Sequence, residues 1–186
     1  TNRLMRLCLS RRYAEEVIDR NMRIFGIYND PRQGVLWVGT DGQGAVMYSR
    51  KYTIATNLML SSFSPNLTRQ VRAIMTDKQG GLWVGTKGNG LLHVKNYRDG
   101  VRASDVEVYS LDGKQPAVSY VRPERELRIY AMRESRYRNG FWVGAASPGM
   151  CYYSFGDGQL HSLAGTDAGV PVEGGNEVQS IGEENA

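Results

Sequence analysis

Two histidines, His93 and His161, and two cysteines, Cys8 and Cys151, bring the widest acid–base, nucleophilic and metal-binding repertoire to this chain of 186 residues. Their spacing assembles none of those chemistries. Neither histidine has a second His or a Cys at metal-ligand distance along the chain. No Gly-x-Ser-x-Gly elbow presents a serine nucleophile. "DGQG", "KGNG" and "GDGQ" lack the Lys-Ser/Thr of a phosphate loop and the acidic ladder of a calcium loop, and read as hairpin turns. No catalytic residue, metal site or cofactor is therefore expected. Each cysteine sits in an apolar run and reads as a buried free thiol, with a disulfide as the alternative, so cysteine usage does not fix the compartment.

Recognition chemistry concentrates in "VRPERELRIYAMRESRYRNG", residues 121–140. Arg122, Arg125, Arg128, Arg133, Arg136 and Arg138 stand there against Glu124, Glu126 and Glu134. Guanidinium forks suit carboxylates, sulfates and phosphates, and Tyr130 and Tyr137 offer faces on which a sugar ring can stack. The candidate ligand contacts are Arg133, Arg136, Tyr137 and Arg138, for an anionic glycan. The competing reading is a solvated strand and loop with local ion pairs. The overall charge of +4, from 23 basic and 19 acidic residues, is too mild to imply a nucleic-acid partner. No apolar run approaches the ~18 residues of a membrane span.

The elements that would position these groups come from a repeat. "GVLWVGTDGQG" at 34–44 and "GGLWVGTKGNG" at 80–90 are near copies, and "GFWVGAASPGM" at 140–150 is a degraded third. Aligned on Ile27, Ile74, Met132 and Ile181, the units lie 47, 58 and 49 residues apart. A period of about 40–50 residues with several strands per unit points to an all-β protein of propeller blades, each a four-stranded antiparallel sheet. The middle interval implies an insertion of about ten residues relative to that period.

Within a unit, "VRAIMTD" suits an inner strand with short alternation. "LWVGT" suits a second strand covered on both faces, and "LLHVKNY" a third. "DVEVYSL" suits a partly wet fourth strand, with Val106 and Val108 inward and Glu107 and Tyr109 outward. Trp37, Trp83 and Trp142 then wedge between neighbouring sheets, with sugar stacking as the alternative, and Gly39, Gly85 and Gly144 permit close backbone approach. The expected organisation is a partial blade at 1–20, blades at 21–66, 67–120 (with the insertion) and 121–168, and the start of another at 169–186. "YAEEVIDR" reads as a fourth strand or, by propensity, a short helix. Both ends read as cut, so the expectation is an incomplete propeller of about four blades, with open edges suited to self-association.

At "LWVGTDGQG", "LWVGTKGNG" and "VPVEGGNEVQSIGEEN" the chain resembles the two-component-regulator propeller repeat. In the third unit Ala145 replaces the threonine and the Gly-Asn-Gly-Leu turn is lost. The resemblance implies the periplasmic sensor region of a Bacteroides-type hybrid two-component system, anchored to the membrane by parts outside this chain. It also implies an oligosaccharide ligand and a kinase located elsewhere. A ligand-sensing module is the reading carried forward. An assembly scaffold that dimerises is the alternative, and a polysaccharide lyase or hydrolase ranks last for want of clustered acid–base residues.

Overall fold

Short apolar runs closed by glycine turns favour antiparallel hairpins, and the chain builds them throughout. The computed structural model describes residues 3–8, 14–49, 55–68, 70–95, 97, 101–163 and 177–183. All regular structure among them is β apart from three single 3-10 turns. β1 (Arg3–Cys8) and β2 (Ala14–Arg20) form an antiparallel hairpin, so "AEEVIDR" is a strand and not a helix.

Three blades follow. The first has β3 (Ile24–Asp30), β4 (Val35–Thr40), β5 (Ala45–Ser49) and β6 (Ala55–Leu58), paired in chain order. The second has β7 (Val71–Thr76), β8 (Leu82–Gly88), β9 (Leu91–Val94), β10 (Val106–Ser110) and β11 (Gly113–Pro116). The third has β12 (Leu127–Glu134), β13 (Gly140–Ala145), β14 (Met150–Ser154) and β15 (Gln159–Ser162). A two-residue pairing of Leu127 with Gly88 and Arg128 with Lys87 joins the second and third blades into one sheet.

Two strand-level expectations need correction. "DVEVYSL" is not the outermost strand of its blade, because part of the extra sequence folds back as β11 on its far side. Tyr109 does not face solvent; it is buried against Trp83, so β10 is covered more fully than a simple alternation allows. Likewise β7 is buried along nearly its whole length, since both neighbouring blades pack on it.

Side chains alternate between the two faces of each blade, and successive blades share a core. Leu4 of the hairpin packs with Val38 and Val46 on one face of the first blade. Trp37, Val35 and Leu58 on its other face meet Ile74, Val84, Leu92 and Val94 of the second. Trp83, Met75 and Leu91 on the far face of the second meet Ile129, Phe141, Val143 and Cys151 of the third. Trp37 and Trp83 therefore occupy equivalent slots, both pointing toward the following blade. An isolated blade leaves one such face in water, so stacking supplies most of the hydrophobic stabilisation.

The glycines two residues after each tryptophan admit the next inner strand. A Cβ at Gly39 would lie 2.9 Å from Val71 Cγ1, at Gly85 2.6 Å from Ile129 Cγ2, and at Gly144 2.5 Å from the Val178 carbonyl oxygen. Val71, Ile129 and Val178 thus play one role in turn. Residues 177–183, although not strand-paired, lie against the third blade where a following inner strand would lie, with Val178 N–H donating to Ala145 O at 2.9 Å.

The turn after "WVGT" has a built-in staple. Thr40 and Thr86 hydroxyls donate to Gly44 O and Gly90 O at 2.8 and 2.9 Å, and accept the amides of Gln43 and Asn89. Gly44 and Gly90 both sit at φ +74°, where a side chain is strained. In the third blade Ala145 lacks the hydroxyl. The turn there keeps the Ala145 N–H to Gly149 O bond and passes through a cis Ser147–Pro148 peptide.

Candidate functional site

The arginine-rich loop predicted to hold a ligand is the β12–β13 hairpin turn. Ser135 sets its shape, its hydroxyl oxygen accepting the amides of Tyr137 and Arg138. Asp30 does the same for Arg32 and Gln33 in the first blade, so serine has replaced a turn-capping aspartate. The missing carboxylate arrives from residue 183. Glu183 Oε1 accepts the Ser135 hydroxyl at 2.9 Å and the Trp142 indole N–H at 3.1 Å, while Oε2 accepts the Arg136 amide at 2.8 Å. These bonds, the Arg136 amide foremost, hold the Glu183 carboxyl below its usual range.

The four candidate contacts do not act alike. Arg133 points along the strand, its Nη1 donating to the Ile181 carbonyl at 3.3 Å, and so ties residues 177–183 to the blade. Arg136 contributes its backbone amide to Glu183. Tyr137 is 60% exposed at the tip of the turn. The Arg138 guanidinium lies 5.3 Å from the Trp142 ring centroid and 5.9 Å from that of Tyr152, and the two rings meet edge to face at 5.0 Å. Trp142 is half-buried, unlike Trp37 and Trp83. Among the described residues only 177–183 cover its side of the blade. An exposed cation backed by aromatic faces, with Tyr137 on the same turn, is a surface suited to a sugar bearing a negative charge.

A second concavity, of about 450 Å³, opens between the second and third blades beside Trp83 and His93. His93 stacks flat on Trp83 with centroids 4.1 Å apart, and its Nε2 lies 3.7 Å from Asp77 Oδ2. Burial lowers the His93 pKa, opposed by the nearby Asp77. Glu107, Lys95 and Lys114 form an ion cluster at its rim. The arrangement is structural: Asp77 is occupied by the Trp83 indole and the Gly81 amide.

His161 pairs with Asp157 at 2.8 Å in an exposed position. The Cys151 thiol is buried and free, and desolvation pushes its pKa up to about 12. The side chain of Cys8 lies outside the described residues. Among the described residues no group of three or more His, Cys, Asp or Glu is placed to hold a metal ion. No helix there is long and apolar enough to cross a membrane.

Sequence reasoning missed one cluster. Phe25, Arg72 and Tyr130 come from the inner strands of three successive blades, and the Arg72 guanidinium lies over both rings. The same offset within each repeat marks them, but their types differ, so the repeat alone does not announce them.

Three stacked blades each carry a Trp-x-Gly second strand. Residues 67–88 match the two component regulator propeller family model. The matched regulator propeller repeat runs through β7, its turn and β8, which is where "LWVGTKGNG" carried the resemblance. Blades one and three reproduce the same bulge and close glycine without falling in the matched span.

Among solved structures, the chain is similar to the extracellular domain assigned to the hybrid two component system BT4673 of B. thetaiotaomicron, at 19% identity and a TM-score of 0.53. That match covers 77% of this chain and 16% of the other. At this identity the likeness supports the all-β propeller fold. The extracellular domain assigned to the hybrid system BT3049 of the same organism matches at 18% identity and a TM-score of 0.38, over 77% of this chain and 23% of that one. The chain spans less than a quarter of the length of either domain. No curated protein matches the chain significantly.

Proposed function

We propose that this chain is part of the extracytoplasmic sensor region of a hybrid two-component signalling protein, on the periplasmic side of the inner membrane, and that it contacts an acidic oligosaccharide. The regulator propeller repeat at residues 67–88 supports the signalling context. The observation that carries the ligand half is the Arg138 guanidinium backed by Trp142 and Tyr152 on an exposed hairpin. Blades act here as a rigid frame, and the hairpin is tied through Glu183 to residues 177–183. A ligand that engages Arg138 therefore bears on the contact between the third blade and whatever follows it. Signal output requires only that ligand favour one packing of that contact over another.

Calorimetric titration of uronate- and sulfate-bearing oligosaccharides, with neutral counterparts, into the intact chain tests this reading. Acidic saccharides bind, and Arg138→Ala weakens them by ~10-fold or more, equivalent to about 1.4 kcal/mol. Unchanged affinity in an Arg136→Ala/Arg138→Ala variant removes the proposed site.

A further inference from the structure

All three inner strands carry the same irregularity. Pairing of β3 with β4 shifts between Ile24 and Gly26, of β7 with β8 between Val71 and Ala73, and of β12 with β13 between Ile129 and Ala131. The extra residue at each bulge is Phe25, Arg72 and Tyr130 in turn. A bulge re-aims a side chain out of the alternation. Here it sends three side chains to one place. The Arg72 guanidinium carbon lies 3.6 Å from the Phe25 ring centroid and 5.8 Å from that of Tyr130. A cation from the middle blade thus reaches rings from the blades on both sides, which requires all three to converge where the inner strands run closest together. The backbones confirm that closeness: a Cβ at Gly26 would lie 2.7 Å from the Arg72 carbonyl oxygen.

The guanidinium is held but not neutralised. Arg72 Nε is buried with no hydrogen-bond partner, and Arg72 forms no ion pair among the described residues. The other cation at the Phe25 ring is matched: Arg23, 5.6 Å from that ring, pairs with Asp41 at 3.2 Å. Aromatic rings cover the faces of a guanidinium and cannot accept its in-plane N–H groups. An arginine fixed by its faces, with unspent donors along its edge, is preorganised for a planar or tetrahedral oxyanion held by two parallel hydrogen bonds.

We propose that Phe25, Arg72 and Tyr130 form an oxyanion site near the propeller axis, separate from the Arg138 hairpin, in which the Arg72 edge takes a carboxylate or sulfate group. That group belongs either to an acidic sugar or to a free inorganic anion. The side chains come from three blades, so binding ties the inner strands together.

The test follows the Arg72 Nε–Hε resonance in the intact chain, assigned by its loss in Arg72→Lys, during titration with sodium sulfate, a galacturonate oligomer and a neutral galactose oligomer. A saturable shift with sulfate or galacturonate, and none with the neutral oligomer, is the expected result. A response to sulfate alone assigns the site to a free anion, and to galacturonate alone to an acidic sugar. Calorimetry in an Arg138→Ala background, which removes the hairpin contact, then shows at least ~10-fold weaker binding of the responding anion when Arg72→Met is added. No shift with either anion, an equal shift with the neutral oligomer, or full affinity in a folded Arg72→Met variant overturns the proposal. Should Arg72→Met fail to fold, the resonance titration of the unaltered chain decides alone.

Discussion

The indole nitrogen of Trp83 donates to Asp77 Oδ2 at 2.7 Å, six residues back across its own hairpin, and Asp77 Oδ1 takes the Gly81 amide at 2.8 Å. One buried carboxylate thereby closes the β7–β8 turn and satisfies the largest inter-blade side chain. Asp77→Ala strands two buried donors, so it destabilises the chain by about 2–4 kcal/mol, with Asp77→Asn costing less. Urea unfolding followed by tryptophan fluorescence measures both. Equal stability of Asp77→Ala and the unaltered chain contradicts this role.

Trp37 fills the equivalent slot one blade earlier, yet its indole nitrogen finds no partner. Asp30, at the position of Asp77, spends its oxygens on the Arg32 and Gln33 amides and on the Thr76 hydroxyl of the next blade. Phenylalanine at Trp37 therefore removes a donor that costs stability, whereas at Trp83 it orphans a buried carboxylate oxygen. Trp83→Phe is expected to be less stable than Trp37→Phe by about 1–3 kcal/mol. Chemical denaturation of the two variants under one set of conditions gives that difference directly.

Close packing at Gly85 leaves no room for a methyl group. Its Cβ would meet Ile129 Cγ2 at 2.6 Å and Ala73 Cβ at 3.1 Å, both inside the core between the second and third blades. Gly85→Ala is expected to cost about 1–3 kcal/mol by overpacking. Gly182→Ala, where nothing lies within 4 Å, stays within about 0.5 kcal/mol. The double variant Gly85→Ala/Ile129→Ala is expected to lose less than the sum of the two single losses, a coupling read from a double-mutant cycle. Additive losses indicate that the inner strand of the third blade does not lie there.

Acid sensitivity follows from His93. Burial lowers its pKa below the ordinary 6.5, against the pull of Asp77 and Glu107 and with the push of Lys95 and Lys114. The unfolded chain binds the proton more readily, so stability rises with pH in this window. As pH falls from about 6.5, the folded state loses stability until the folded pKa is passed. His93→Phe keeps a ring on Trp83 and removes the titration. Thermal melts across pH 5 to 7, taken as roughly the range of histidine titration, show a shallower slope in the variant. An identical slope places the titrating group elsewhere.

The strand period, the tryptophan slot and the close glycine were legible in the sequence because each blade must solve one packing problem the same way. What escaped is what the blades do differently. Ser135 looks like a degraded repeat position until Glu183 is seen supplying the lost carboxylate from 48 residues away. β11 is hidden in the inserted length, and simple alternation points Tyr109 outward because a lone blade has one wet face while a stacked one has none. The arginine-rich run was visible in the sequence, but not that the Arg138 guanidinium would lie over the Trp142 and Tyr152 rings. The Phe25–Arg72–Tyr130 cluster was invisible because three different residue types share one bulge position, and chemistry appears only when the inner strands converge.

The central claim is that consecutive blades stack face to face through these tryptophans. Nuclear Overhauser contacts of the Trp83 indole test it most directly. The account predicts strong contacts from the Trp83 ring protons to Phe141 and Tyr153, whose centroids lie 4.9 and 4.5 Å away in the following blade. It also predicts contacts from Trp37 to Tyr97, at 5.3 Å. Contacts from Trp83 confined to its own blade would contradict it.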